Sequence, residues 1–280
     1  MERYDVAVLG GGLLGCFMAR ELLRYPLRVA LVEGREDVCT GISRANTAIV
    51  YTGCDTKPGT LKTMLCVEAN KGFEDLCRQL GVPFARRGSL MVSYGPSADQ
   101  KLRKKLEQGM ENGVEGLRLL SGREAETWEP GLAPGISSAL YAPGTGENAL
   151  DNGCAPWLNA SVVDLLPEEG GWRVVTLRGE LWAAAVVNCC GLHADQVQEL
   201  AVPPSVRISP EKADYLMLDE GAGNYVGHVI VHEPEEKGKG LTLVPTTEGR
   251  LLVGPSEQPA AGPVSATTRT GLDWLRQTTA

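Results

Sequence analysis

No Cys-x-x-Cys pair occurs among the eight cysteines of this 280-residue chain. Cys16, Cys39, Cys54, Cys66, Cys77 and Cys154 are scattered, so neither metal-ligand spacing nor a disulfide framework is written into them. Cys189 and Cys190 are adjacent in an apolar stretch, where neighbouring strand side chains point to opposite faces and a bridge between them would be strained. They read as reduced, buried small residues of a cytoplasmic protein without a metal site. An excess of positive charge is also missing. The formal net charge is -8, which argues against nucleic acid as a partner, because a phosphate backbone is met by clustered Lys and Arg. The one basic run, Lys101 to Lys105, leads on to Glu107 and Glu111 and reads as a solvated helix face. The N-terminus runs directly into a strand, with no signal-peptide pattern and no segment long and apolar enough to span a bilayer. Internal repeats and low-complexity tracts are absent, and there are only three histidines.

What is present describes a globular α/β chain rich in tight turns, with 43% hydrophobic residues and 34 glycines. A chain of this length can bury roughly 75% of its unfolded surface, enough for one large core or two smaller ones. Asp5 to Leu9 reads as a buried parallel strand, Leu13 to Leu23 as a helix with Leu14, Met18, Ala19, Leu22 and Leu23 at helical spacing, and Arg28 to Val32 as a second strand. Helices are expected at Thr60 to Leu80 and Ser97 to Asn112, and a strand at Gly88 to Tyr94. The prolines between Leu119 and Gly146 mark loop and short strand. Trp172 to Leu177 and Glu180 to Val187 straddle the turn Arg178-Gly179 as a hairpin leading into the strand Val186 to Cys190. Arg207 to Asp219, Tyr225 to His232, Leu241 to Pro245 and Arg250 to Val253 form a series of strands that suggests an antiparallel sheet.

Gly10, Gly12 and Gly15 lie between the first strand and the first helix. There the first glycine permits a tight turn, the second lets a pyrophosphate approach the backbone, and the third lets helix and strand pack closely. The positive end of the helix at Leu13 and Leu14 then faces the phosphates. Glu33 ends the second strand, about twenty residues on, where an acid can accept hydrogen bonds from a ribose diol, with Gly34 beside it. Together these parts point to a dinucleotide, without separating FAD from NAD.

Further segments carry a resemblance. Gly41-Ile42-Ser43-Arg44-Ala45-Asn46, followed by Ile49-Val50-Tyr51-Thr52-Gly53, resembles the Gly-x-Ser-x-x-Asn segment of the D-amino-acid-oxidase-like flavoproteins, in the glycerol-3-phosphate dehydrogenase and L-2-hydroxyglutarate oxidase branch. Val186 to Asp195, with Asn188, Cys189, Cys190, Gly191 and His193, looks like that family's later strand and turn. Lys239 to Thr246 and Leu251 to Pro255 resemble its substrate-domain strands. The resemblance implies FAD as cofactor, held at the sites above and at Gly41, Ser43 and Asn46, with Cys190-Gly191 passing the ADP moiety and Val162 offering main-chain contacts to adenine. Ser43 and Asn46 also fit a simple turn capping the next helix.

The implied fold is a Rossmann-like parallel sheet of the FAD/NAD(P)-binding type, from residues 1–80 and 147–200. A second α+β domain with an antiparallel sheet, from 81–146 and 201–280, would serve the substrate. The implied activity is that of an FAD-dependent oxidoreductase oxidising a small anionic hydroxy compound, glycerol 3-phosphate or a 2-hydroxy acid, by hydride transfer to flavin. The electron acceptor is left unknown. The alternatives are an amine or amino-acid oxidase of the same fold, or an FAD-binding relative without turnover. Relative to the family, the chain is expected to be shortened at 147–153 and at its C-terminus. Tyr51 stands where those relatives often carry histidine. His193, His232 and Tyr51 are candidates for taking the hydroxyl proton, with His228 the remaining histidine, although each fits a surface or packed position equally well. Lys212, Arg207 and Tyr215 are candidates for holding an anionic substrate, or exposed groups on a strand edge.

Overall fold

A computed structural model describes residues 1–148, 157–232, 240–259 and 266–278. In chain order the first elements are β1 (Glu2–Leu9), α1 (Leu13–Leu22), β2 (Val29–Val32), β3 (Ile49–Val50), α2 (Leu61–Leu80), β4 (Phe84–Ala85) and β5 (Ser89–Ser93). There follow α3 (Pro96–Glu111), β6 (Arg118–Ser121), α4 (Gly122–Trp128), β7 (Ser138–Ala142) and β8 (Gly146–Asn148). The last are β9 (Val162–Glu168), β10 (Gly171–Thr176), β11 (Gly179–Asn188), α5 (Ala194–Glu199), β12 (Glu211–Leu218), β13 (Val229–His232), β14 (Thr242–Pro245), β15 (Leu251–Pro259) and α6 (Arg269–Thr278). The expected shortening at 147–153 falls mostly outside the described residues, as do Cys154 and Lys239.

The chain folds into two compact units. The first comprises residues 1–46 and 157–210, built on a five-stranded sheet of order β2-β1-β11-β10-β9. β1 lies parallel to both β2 and β11, while β10 runs antiparallel to β11 and β9, the hairpin read at Arg178-Gly179. Side chains alternate between two apolar layers. Ala7, Leu9, Ala30 and Val32 pack on one, and Val6, Val8 and Leu31 on the other with Cys16 and Ala19 of α1. Cys190 joins the first layer and Cys189 the second, on opposite faces, and both are free thiols.

The second unit holds residues 47–148, 211–259 and 266–278. Its seven-stranded sheet has the order β12-β15-β14-β13-β5-β7-β6, antiparallel except where β13 meets β5. The fold is therefore mixed α/β, with one sheet containing parallel strands and one largely antiparallel. These units cut the chain differently from the functional division drawn from the sequence. Residues 47–80 group with the second unit because β3 and β4 both pair with β8, and because Asn70 of α2 donates from Nδ2 to the Tyr51 and Gly144 carbonyls. Residues 201–210 stay with the first unit, where the Ile208 N–H donates to Asp195.

Local signals fix most helix ends. Thr60 caps α2 by accepting from the Thr63 N–H, and Gly81 ends it in the left-handed region at φ +69°, a conformation that costs glycine little. Pro96 opens α3 at a position where a missing N–H costs nothing. The stretch from Leu119 to Gly146 is more regular than its prolines suggest, since it contains β6, α4 and β7. A capping box drives α4: the Ser121 hydroxyl accepts from the Glu124 N–H at 3.3 Å, and Glu124 Oε2 accepts from the Ser121 N–H at 2.8 Å.

At the far end of α4, Glu129 is 2% exposed and fastens the helix to the segment that enters β13. Its carboxylate accepts from the N–H groups of Gly227 and His228, at 2.9 and 2.8 Å, and pairs with His228 Nδ1 at 2.5 Å. The His228 ring stacks on Trp128 and meets Tyr141 edge-on. Burial alone would raise the Glu129 carboxyl pKa, but the His228 ring and the two N–H groups overcome it and hold the value below the ordinary range.

Ser121→Ala is expected to destabilise the protein by about 1 kcal/mol, read as a lower urea midpoint with unchanged slope. The folded pKa of Glu129 lies below its unfolded value. Its contribution is therefore complete above the ordinary carboxylate pKa and is lost as pH falls through the lowered one. Glu129→Gln should lower stability by about 1–3 kcal/mol near neutral pH and flatten the acid limb of the stability profile, measured as urea midpoints between about pH 3 and about pH 7.

Candidate functional site

In an open α/β sheet, ligands bind at the carboxyl ends of the parallel strands. In the first unit those ends are Leu9, Val32 and Asn188, and the residues singled out from the sequence gather there. Gly10 turns sharply out of β1 at φ +99°, and a Cβ on it would run into the Cys189 carbonyl. A Cβ on Gly15 would fall on the Gly10 carbonyl oxygen, so α1 sits on the loop as closely as backbone allows. Gly12 caps the helix from extended backbone with no side-chain hydrogen bond, and the first turn carries no acid.

The loop's amides point at acceptors. The Leu13 N–H donates to Ser43 Oγ at 2.8 Å, and the Gly11 N–H donates to Glu33 Oε2 at 2.7 Å. The other Glu33 oxygen accepts from the Arg35 N–H at 2.8 Å, so two backbone donors fix the carboxylate while it stays half-buried. Four acceptor directions belong to an ionised carboxylate, and these bonds use two. Ser43 thus reaches back to the helix N-terminus instead of capping its own segment. Asn46 behaves as a local turn, its Nδ2 donating to the Ser43 carbonyl at 2.6 Å. Gly41 precedes a short 3-10 turn, and nothing lies within 4 Å of where its Cβ would be.

Around the end of β2, residues 157–162 run alongside Glu33 and Gly34. The Glu33 N–H donates to the Trp157 carbonyl, and the Ala160 N–H to the Glu33 carbonyl, at 2.9 and 2.8 Å. Gly34 abuts Ser161, the residue just before Val162 at the start of β9. On the other side the Cys189 N–H donates to the Leu9 carbonyl at 2.7 Å, and the Cys190 thiol to the same oxygen at 3.3 Å. Burial pushes the Cys190 thiol up to about 12, so it stays protonated and serves as a donor. Gly191 then turns the chain at φ +54°, with Asn188 bracing the turn through the Ala194 carbonyl and the Cys190 N–H. Gly11, Arg35 and Ser161 were not read as site residues. Their parts are played by the backbone or by contact across the chain, which leaves no residue-type signal.

The remaining candidates stand elsewhere. His193 belongs to the first unit, exposed, with Nδ1 3.4 Å from Gln196 Oε1. His232 and Tyr51 belong to the second. His232 stacks on Tyr94 at 5.8 Å between ring centroids, and Tyr51 is half-exposed. Lys212 is neither a free anchor nor an exposed edge charge, because its Nζ lies 3.1 Å from the buried carboxylate of Asp214. Arg207 is exposed beside Glu199 at 3.5 Å. Tyr215 packs its ring over Gly254. Among the described residues, no group of three or more His, Cys, Asp or Glu side chains is arranged to hold a metal, and no helix is long and apolar enough to cross a membrane.

A glycerol 3-phosphate dehydrogenase from Caloramator mitchellensis is 38% identical over 285 aligned residues, covering 97% of this chain and 59% of the relative. An L-2-hydroxyglutarate dehydrogenase, mitochondrial, from Bos taurus is 27% identical, covering 90% of this chain and 60% of its own length. The chain thus spans about three fifths of the length of these relatives. Among solved structures, L-α-glycerophosphate oxidase from Mycoplasma pneumoniae with FAD bound superposes with a TM-score of 0.88 at 23% identity, covering all of this chain and 78% of that one. The profile of the DAO family, FAD dependent oxidoreductase, matches residues 5–280, and the chain belongs to that family.

Proposed function

We propose that this chain holds FAD at the carboxyl ends of β1, β2 and β11 and takes part in the oxidation of a small anionic hydroxy compound, glycerol 3-phosphate first. The observation that carries the substrate is the 38% identity, across 97% of the chain, to a relative named for that compound. The 27% relative is named for a 2-hydroxy acid, which shares the pairing of a secondary hydroxyl with a nearby anion.

The residues fit the cofactor. An uncapped helix N-terminus, a loop too tight for any Cβ at Gly10 or Gly15, and a carboxylate fixed by two backbone donors suit a pyrophosphate followed by a ribose. Leu13 and Leu14 would donate their N–H groups to the pyrophosphate, with Gly12 leaving room for its approach. Ser43, already an acceptor for Leu13, would turn its hydroxyl to the phosphate as a donor. Glu33 would accept from the ribose diol. Gly34, Val162, Cys190 and Gly191 would border the adenosine, while Gly41 and Asn46 hold the Ser43 turn in place. When bound, FAD supplies acceptance of a hydride from the substrate C–H bond. The substrate hydroxyl must also give up a proton, for which this chain offers His193, His232 or Tyr51.

Purified protein reconstituted with FAD should show the visible absorbance of bound flavin. A colourless protein that takes up none overturns the reading. Glu33→Gln removes the charge from the ribose contact and is expected to weaken FAD binding about tenfold to about a hundredfold by fluorescence titration. Anaerobic addition of glycerol 3-phosphate to the loaded protein should bleach the flavin band. Bleaching by an amino acid instead would transfer the chain to the amine-oxidising alternative, and no bleaching by either would leave it an FAD binder without turnover.

A further inference from the structure

Three cysteines lie on one face of the first unit's sheet. Cys16 of α1, Cys39 in the loop after β2 and Cys189 after β11 share an apolar layer with Val6, Val8, Ala19 and Leu31, while Cys190 packs in the opposite layer. Two of the three converge on a single atom. The Gly11 carbonyl oxygen accepts from the Cys39 N–H at 2.8 Å and from the Cys16 thiol at 3.5 Å. The Cys16 sulfur and the Cys39 main chain therefore stand no farther apart than those two lengths laid end to end, a separation on the scale of the Cα–Cα distances that a disulfide bridges. Neither cysteine is in a disulfide in this structure.

The two thiols differ in access. Cys16 is 5% exposed, whereas Cys39 is only half-buried, so a reagent from solvent meets Cys39 first. Cys39 sits at φ +56°, a left-handed conformation uncommon for a residue with a side chain, and from there it presents its N–H to Gly11. Gly11 is the hinge between these cysteines and the candidate site. Its N–H donates to Glu33 Oε2 at 2.7 Å, and a Cβ on it would press on Glu33 and Val38. A change at either cysteine is thus passed through the Gly11 carbonyl to the loop that leads into α1.

We infer that Cys16 and Cys39 are a redox-sensitive pair beneath the glycine loop, oxidised to an intrachain disulfide by a small-molecule disulfide of the glutathione type. The Cys39 thiolate attacks one sulfur of that disulfide, one small thiolate leaves, and Cys39 carries a mixed disulfide. The Cys16 thiolate then attacks the Cys39 sulfur, the protein S–S bond forms, and the second small thiolate departs. Two protein thiols are oxidised, one small disulfide is reduced to two thiols, and the protons lost by the cysteines end on them. The new bond removes the Cys16 S–H from the Gly11 carbonyl and draws α1 towards residue 39, which turns the first amides of the helix away from their acceptors. The pair rests on these two cysteines alone, and its effect on FAD rests on the function proposed above.

The test equilibrates the purified full chain, without FAD, in mixtures of reduced and oxidised glutathione and maps its cysteines by mass spectrometry under non-reducing conditions. A link from Cys16 to Cys39 should form and be reversed by dithiothreitol. The linked form should bind FAD about tenfold or more weakly than the reduced form by fluorescence titration. In Cys39→Ser and in Cys16→Ala, FAD affinity should no longer depend on the glutathione mixture. Cys16 and Cys39 still present as thiols in the most oxidising mixture overturn the inference, as does a reaction that stops at the mixed disulfide or joins Cys39 to Cys189. A link that leaves FAD affinity unchanged overturns the switch. Failure of the reduced chain to take up FAD counts against the proposed function alone, and the mapped link then decides the pair.

Discussion

The arrangement at the strand ends depends on how closely α1 approaches β1. The buried face of α1 is Gly15, Cys16 and Ala19, small residues that let the helix axis come down onto the sheet. At Gly15 the helix backbone rests on the Gly10 carbonyl, and Gly10 in turn lies against the Cys189 carbonyl, so three stretches of main chain stack with no side chain between them. That contact aims the first amides of α1 past the end of β1 and brings the turns after β1 and β11 together. A methyl group at Gly10 or Gly15 would separate helix from sheet and turn the amides away from their acceptors. The affinity of such a helix end for anions is a property of this geometry, since the peptide dipoles and the free N–H groups act within the first turn only.

Two acceptors already occupy the donors of this loop, and they differ in kind. Ser43 Oγ is a neutral oxygen that can donate as well as accept, so it can give up the Leu13 N–H to a phosphate and then donate to that phosphate itself. Glu33 is an anion whose bonds to Gly11 and Arg35 leave half of its acceptor capacity open. One residue can exchange partners and the other is held still. The carboxylate is fixed and the hydroxyl adaptable, and the hydroxyl adds no negative charge beside the helix N-terminus.

Much of this was legible in the sequence because the signals are local. Strand, glycine turn, helix and terminal acid lie within thirty-three residues, and their spacing alone placed Gly10, Gly12, Gly15 and Glu33 at one end of a sheet. Thr60 and Gly81 marked the limits of α2 by capping chemistry that acts within a turn. The Ser121-to-Glu124 capping box was equally local, yet the surrounding prolines hid the seven-residue helix it starts. Contacts across long separations were not legible. Ser43 meets Leu13 across 30 residues, and Glu129 meets His228 across 99, each pairing created only when the layers close. The position of Lys212 beside Asp214 follows from strand alternation, which puts residues two apart on one face. Burial of the pair, however, comes from the entry to α6, where Thr268, just before the helix, donates its hydroxyl to Asp214 at 2.8 Å.

The buried charges of the second unit also bear on which groups remain for chemistry. Asp214 is ringed by Lys212 and Thr268, and a Cβ at Gly271 would strike its carboxylate. Glu129 is held by two backbone donors and the His228 ring. A charge withdrawn from water is tolerated because such bonds compensate it, and breaking them to serve a substrate would leave that charge unpaired at a cost of about 3–5 kcal/mol. Lys212 and His228 therefore belong to the fold. The rings of His232 and Tyr51 are placed differently. One rests against an aromatic ring and the other reaches solvent. A side chain in either buried cluster cannot change partners without unfastening a helix from its sheet.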